Sequence, residues 1–96
     1  MANTDDLNSV SGQNLLLAIS KLRTVEEIRD FLGDLLSGPE ITKIVNRWQA
    51  IELLNNKQNY LDIQKQTGLS SATIAKMSTS LKYGTGILRK ILERMR

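Results

Sequence analysis

Apolar residues recur along this chain at intervals of three and four positions, the spacing of one face of an α-helix. No segment alternates apolar and polar residues as a half-buried strand does. Residues 12–22 form the first helical segment. The second follows residues 24–27 (TVEE), which have the form of a capping box, and the third follows residues 37–40 (SGPE) and runs to about Leu54. With the shorter segments beyond, the pattern predicts an all-α chain of about six helices.

The same spacing predicts which side of each long helix faces the interior. In the first three helices the predicted inward residues are Leu15, Leu16, Ile19 and Leu22, then Val25, Ile28, Leu32, Leu35 and Leu36, then Ile41, Ile44, Val45, Trp48 and Ile51. Residues 1–11 are small and polar, and we interpret them as a disordered tail. Because 96 residues suffice for one compact domain and hardly for two, residues 12–96 are predicted to form a single helical domain.

Two of the shorter segments, about residues 59–67 and 70–83, are separated by a turn centred on Gly68. Asn59 suits the N-cap of the first and a serine the N-cap of the second, and glycine suits the positive φ of such a turn. Two short helices joined in this way are typical of a helix-turn-helix, here over about residues 59–83. A plain helical bundle can show the same pattern, so that alternative stays open.

The second helix of this unit is predicted to have an apolar inner face and a small, hydroxylated outer face. Helical spacing predicts that the residues facing the interior of the unit are Tyr60, Ile63, Leu69, Ile74, Met77 and Leu81. The outer face then carries Ala72, Ala75, Lys76, Thr79 and Tyr83, with Ser71 and Thr73 at the exposed tip. Small side chains let a helix enter the DNA major groove, which is ~12 Å wide, and hydroxyls can bond phosphates or base edges. The alternative is an ordinary polar helix surface.

Composition and charge narrow the classes of function. The chain has no cysteine and no histidine, so we expect neither a zinc finger nor a disulfide framework, no metal site and no enzyme. Residues 1–40 carry three Lys/Arg and seven Asp/Glu, which gives a net charge of −4. Residues 41–96 carry ten Lys/Arg and three Asp/Glu, which gives a net charge of +7. This asymmetry indicates that a polyanion meets the second part. No apolar run reaches membrane-spanning length and no signal pattern begins the chain, so we expect a cytoplasmic protein without a membrane partner.

The segment TGLSSATIAKMSTSLKYG, preceded by RWQAIELLNNKQNYLDIQ, resembles the helix-turn-helix region of the Trp repressor superfamily, and more closely its shorter Trp-repressor-like members. The T-G-x-S-x-A-T-I core and the S-L-K-Y-G ending are the most specific pieces, and the resemblance covers residues 35–86 well. It implies an all-helical, intertwined homodimer that binds a double-stranded DNA operator through two helix-turn-helix units about one DNA turn apart. Together with the outer-face analysis, it gives as candidate DNA-binding residues Gln64, Ser70, Ser71, Ala72, Thr73, Ala75, Lys76, Thr79 and Lys82.

The resemblance also implies a position for an effector pocket. In the tryptophan-binding member of the family, two arginines sandwich the indole ring, a glycine beside one of them leaves room, and a serine helps to hold the amino acid. Here Arg47 matches the first arginine and Ser80 the serine, but Lys76 replaces the second arginine and Met77 the glycine. Lysine lacks the flat stacking surface of arginine, and Met77 would fill the space of a ring. We therefore expect no tryptophan corepressor and no other cofactor, and the sequence identifies no small-molecule effector.

The leading hypothesis is a sequence-specific DNA-binding transcription regulator, a dimeric repressor that acts by occupying its operator. The alternative hypothesis is a helical protein-interaction module without DNA binding, which would use the amphipathic last helix, GILRKILERMR, as its ligand. The absence of a phosphate-binding glycine loop adds to the case against an enzyme.

Overall fold

The computed structural model describes residues 4–96, and every regular element in that range is helical. A short 3₁₀ helix covers Thr4–Asn8, and six α-helices follow: α1 (Val10–Ser20), α2 (Val25–Leu35), α3 (Gly38–Asn55), α4 (Tyr60–Thr67), α5 (Ser71–Tyr83) and α6 (Ile87–Arg94). The predicted all-α fold is confirmed. Contacts within the chain divide it into two compact units, one that ends at Gly38 and one that comprises Pro39–Arg96. The single domain over residues 12–96 therefore stays a prediction.

Thr4–Asn8 form a 3₁₀ helix and α1 begins at Val10, with Ser9 between them, which differs from the predicted disordered tail over residues 1–11; residues 1–3 lie outside the described range. Ser9 is the N-cap of α1, and its hydroxyl accepts the Gly12 N–H at 3.0 Å and donates to the Asp6 carbonyl at 2.6 Å. A Cβ at position 12 would overlap that carbonyl oxygen, so the close approach requires glycine. A cap and a backbone contact thus order a segment that carries almost no hydrophobic signal.

α2 begins with the predicted capping box. Thr24 Oγ1 accepts the Glu27 N–H at 3.0 Å, and Glu27 Oε1 accepts the Arg23 N–H at 2.8 Å. The Glu27 carboxylate therefore accepts a hydrogen bond from the N–H of Arg23, the residue before the N-cap. In the usual capping box it would accept the N–H of the N-cap residue, Thr24. The helix start was read correctly from the sequence because all of its determinants are local.

The apolar stripes of α1 and α2 are not buried within the chain, contrary to the inward orientation that the sequence predicts. No residue of either helix is buried. The exposed fraction is 47% at Leu16, 56% at Leu35 and 71% at Val25. An apolar stripe on a helix indicates a surface that is buried in the functional state, but it does not show whether the same chain or another chain packs against it.

The carboxy-terminal unit has its core where α3, α4 and α5 meet. Ala50, Ile63 and Ile74 are fully buried, with Leu69 and Met77 packed against them. The inward positions predicted for the helix-turn-helix are confirmed at Ile63, Ile74 and Leu81 and for Ile51 in α3. α5 packs on both α4 and α6. The prediction of burial is wrong for three residues of this unit, which remain exposed in the single chain: Ile44, Val45 and Tyr60.

The turn between α3 and α4 takes its left-handed residue from an unexpected position. Asparagine tolerates this geometry and occurs three times in the NNKQN segment, yet the positive φ, 63°, belongs to Lys57. The Lys57 N–H donates to the Leu54 carbonyl and the Gln58 N–H to the Leu53 carbonyl, each at 3.0 Å. This is the hydrogen-bond pattern of a Schellman motif, in which the left-handed residue is usually glycine.

Candidate nucleic-acid interface

The turn between α4 and α5 is fixed by one glycine and one buried hydroxyl. Gly68 has φ 73°, and its N–H donates to the Gln64 carbonyl at 2.8 Å, which closes α4 as predicted. Thr67 is only 6% exposed; its hydroxyl donates to the Ile63 carbonyl at 2.7 Å and accepts the Leu69 N–H at 3.2 Å. Thr67 was missed by the sequence reasoning, although a threonine directly before a capping glycine is a usable signal. Together these bonds set the direction in which α5 leaves the turn.

α5 begins at a cap that links two of the predicted DNA-binding residues. The Ser70 hydroxyl accepts the Thr73 N–H at 3.1 Å and donates to Thr73 Oγ1 at 3.0 Å. Ser70 therefore uses its hydroxyl inside the protein, whereas Thr73 Oγ1 keeps its own hydrogen for another acceptor. In both residues the cap orients the hydroxyl, so any role that they have at DNA is coupled to the start of the helix.

The two faces of α5 differ sharply in burial. The inner face consists of the buried residues Ile74, Ser78 and Leu81, with half-buried Met77 beside them. On the opposite arc lie six of the predicted DNA-binding residues, all exposed: Ser71, Ala72, Ala75, Lys76, Thr79 and Lys82. We call this arc the α5 ridge. Thr73 and Gln64, the latter on α4, are half-buried. Buried Ser78 escaped the sequence reasoning because helical spacing identifies apolar positions best.

The α5 ridge is narrow and carries only positive charge. Its residues other than the two lysines are alanine, serine and threonine, so the backbone lies close to the surface. The first-turn amides of Ser71 and Ala72 precede the hydrogen-bonded part of the helix, and such amides are favourable for anions. A phosphate or a base edge could therefore approach the amino-terminal end of α5 without a carboxylate in the way.

Three of the four predicted effector-pocket residues line one shallow cavity of about 260 Å³ on the other side of α5: Arg47, Met77 and Ser80. Trp48 from α3 and Leu88 from α6 complete much of the wall, while Lys76 is not part of the lining. Met77 also packs against the buried core, so its side chain occupies the space beside that core. The lining therefore offers one cation and mainly apolar surface, with no pair of flat guanidinium groups to sandwich a ring.

No group of three or more His, Cys, Asp or Glu side chains within residues 4–96 is placed to hold a metal ion. No helix in the same range is both long enough and apolar enough to cross a bilayer.

Comparison with known proteins identifies relatives over nearly the whole length of the chain. The family model described as Trp repressor protein matches residues 11–96. A Bacillus subtilis (strain 168) relative described as the uncharacterized protein YerC is 29% identical over 92 residues, which are 96% of this chain and 88% of that protein.

Two crystal structures share the fold. A TrpR-like protein from Eubacterium eligens ATCC 27750 superposes with a TM-score of 0.84 at 32% identity, over 95% of this chain and 94% of the other. A Staphylococcus aureus protein, a proposed Trp repressor, gives a TM-score of 0.84 at 29% identity, over 99% of this chain and 95% of the other. Because the family model spans nearly all of the sequence and both folds agree over nearly all of the chain, the protein belongs to the Trp repressor family, which has a regulatory DNA-binding fold.

Proposed function

We propose that the protein is a sequence-specific transcription regulator that binds its operator as a homodimer and represses by occupying it. The observation that carries this proposal is the α5 ridge. Its exposed side chains are small, hydroxylated or basic, although the helix behind it packs tightly at Ile74 and Leu81. Serine and threonine are poorer helix formers than the residues usual on a solvated surface, so a surface that must fit a groove explains their use.

The apolar stripes of the amino-terminal unit support the homodimer. Leu16, Ile19, Ile28 and Leu35 are between 43% and 56% exposed, on helices that bury nothing within the chain. A second copy of the chain supplies a matching set of stripes, and two-fold contacts between identical surfaces are the commonest form of protein assembly. Two ridges held by one dimer would then read half-sites about 34–36 Å apart, one turn of the DNA helix.

Selection of bound duplexes from a random DNA library, with the full-length protein, tests the proposal. We expect enrichment of a palindromic sequence whose two halves are one helical turn apart. Ala72→Glu places a carboxylate at the tip of the α5 ridge and should abolish enrichment, whereas Ser11→Glu adds the same charge on α1 and should leave enrichment intact. If the unsubstituted protein enriches no sequence and binds no duplex at low salt, the proposal fails.

A second candidate function rests on α6. Ile87 is 49% and Met95 is 62% exposed, and α6 buries none of its residues. An amphipathic helix with an uncovered apolar side can serve as a ligand for a groove in another protein. A stable protein partner that co-purifies with the chain, without nucleic acid and with a normal absorbance ratio at 260 and 280 nm, would favour this function. Abundant co-purified nucleic acid would favour the regulator.

A further inference from the structure

A cleft of about 340 Å³ opens on the carboxy-terminal unit, away from the cavity that contains Arg47. It lies where the turn after α3 meets α5 and α6. Its lining combines apolar, hydroxyl and cationic residues, among them Leu54, Lys57, Tyr60, Leu81, Lys82 and Arg89. This volume is at the small end of the usual range for ligand sites, about 300–1,000 Å³.

The charges of the cleft all have the same sign. Lys57 comes from the turn, Lys82 from the end of α5 and Arg89 from α6, so three separate elements each contribute one cation. None of the described residues that line the cleft is acidic. Three cations that line one cleft, with no acidic residue in its lining, repel one another, and a bound anion would relieve that repulsion. Leu54, Tyr60 and Leu81 also line the cleft and add an apolar contribution for the remainder of a ligand.

The backbone at Lys57 supplies an independent reason to regard the cleft as a built site. Lys57 holds the left-handed position of the Schellman turn, which glycine or asparagine would occupy with less strain. Asparagine stands at the two positions just before it. A residue held in an unfavourable backbone region suggests that its side chain is needed. Lys57 is one of the residues that line the cleft.

We propose that this cleft binds a small phosphate monoester whose organic part is apolar, and that the ligand competes with DNA for Lys82. The phosphate would lie among Lys57, Lys82 and Arg89, with the guanidinium able to form two parallel hydrogen bonds to it. Lys82 is also a candidate contact of the α5 ridge, so an occupied cleft would remove one cation from the DNA surface and add negative charge beside it. This coupling rests on the proposed DNA binding, whereas ligand binding itself does not.

Calorimetric titration of the full-length protein with phenyl phosphate tests the site directly. We expect saturable binding at millimolar concentration or below, weaker binding of inorganic phosphate and none of benzyl alcohol, which keeps the ring but lacks the charge. Arg89→Ala and Lys57→Gly should each weaken binding of phenyl phosphate by about tenfold or more, the usual loss for a charge-assisted bond. Arg94→Ala removes an equal charge from the same helix outside the cleft and should change affinity little.

A second arm distinguishes a free ligand from a phosphate of the DNA backbone. Phenyl phosphate should displace a fluorescent duplex from the protein over the same concentration range in which phenyl phosphate binds. It should displace the duplex from the Arg94→Ala variant over a similar range. If Arg89→Ala weakens duplex binding but phenyl phosphate does not bind the unsubstituted protein, the cleft is a DNA backbone contact and the ligand proposal is overturned. If phenyl phosphate binds but no duplex does, the DNA proposal fails and the cleft remains a ligand site.

Discussion

Lys57 shows at the scale of one residue how backbone and side chain can have opposed requirements. Its φ of 63° is unfavourable for most residues with a Cβ, asparagine being less affected, while Lys57 lines a positively charged cleft. Lys57→Gly should therefore raise the free energy of unfolding by about 1 kcal/mol, because glycine adopts this conformation without steric cost. Urea denaturation at fixed protein concentration measures the change. Lys57→Ala keeps the Cβ and should give no gain; a gain of equal size would show that loss of charge is responsible.

Ala75 and Lys82 occupy the same ridge but should affect DNA binding differently. Lys82 would contact phosphates, so Lys82→Ala should weaken binding to all sequences alike. The slope of the logarithm of the binding constant against the logarithm of salt concentration should fall in magnitude by about one unit.

Ala75 lies within the exposed arc, where Ala75→Ser should change the preferred half-site by adding a hydroxyl near base edges. Anisotropy titrations with a selected duplex and a scrambled duplex at several salt concentrations separate the effects. If both variants lose affinity uniformly, the ridge does not read sequence.

Thr73 illustrates what single-residue reasoning from sequence misses. Its position at the tip of α5 suggested a freely exposed reader of bases, but its side chain is half-buried and its Oγ1 accepts the Ser70 hydroxyl at 3.0 Å. Replacing Thr73 would thus disturb the cap together with the DNA surface. Ala72 and Ala75, which make no such bond, are cleaner positions at which to test recognition.

At the scale of helices and turns, local chemistry specified the α4–α5 unit closely. Asn59 and Ser70 cap the two helices as predicted, with their side chains accepting the N–H groups of Asp62 and Thr73 at 2.9 and 3.1 Å. Gly68 closes α4 in the left-handed conformation. Caps and turn glycines act over three or four residues, so the sequence shows them directly. The 3₁₀ helix at Thr4–Asn8 was missed because it depends on a close contact at Gly12 that no composition reveals.

Gly68 offers a stability test of this unit. Gly68→Ala should lower the free energy of unfolding by about 1 kcal/mol, because a left-handed residue with a Cβ is strained even where open space surrounds it. Gly68→Asn should lose less, since asparagine tolerates the same backbone region. Thermal unfolding at one protein concentration gives both values. Equal losses for alanine and asparagine would argue against backbone strain as the cause.

At the scale of the whole molecule, the exposed apolar stripes lead to a prediction about assembly. Ile28, 43% exposed on α2, belongs to the surface that we propose a second copy covers. Ile28→Glu should shift the protein from dimer to monomer or abolish folding, because a buried unpaired carboxylate is costly. Light scattering after size exclusion measures the mass, and circular dichroism measures helix content. Asn14→Glu adds the same charge at an exposed polar position of α1 and should leave the dimer intact. A monomeric unsubstituted protein at micromolar concentration would contradict the proposed assembly.

The helical class, most helix boundaries, the caps, the turn glycine and the inner face of α5 follow from local sequence, since each depends on residues within about one helical turn of each other. Other features emerge only in the folded chain: Ile44, Val45 and the stripes of α1 and α2 stay exposed, Ala50 and Ser78 are buried, and one cleft is lined by Lys57, Lys82 and Arg89. Burial and convergence depend on which distant segments meet in space, and periodicity along one helix carries no information about its neighbours.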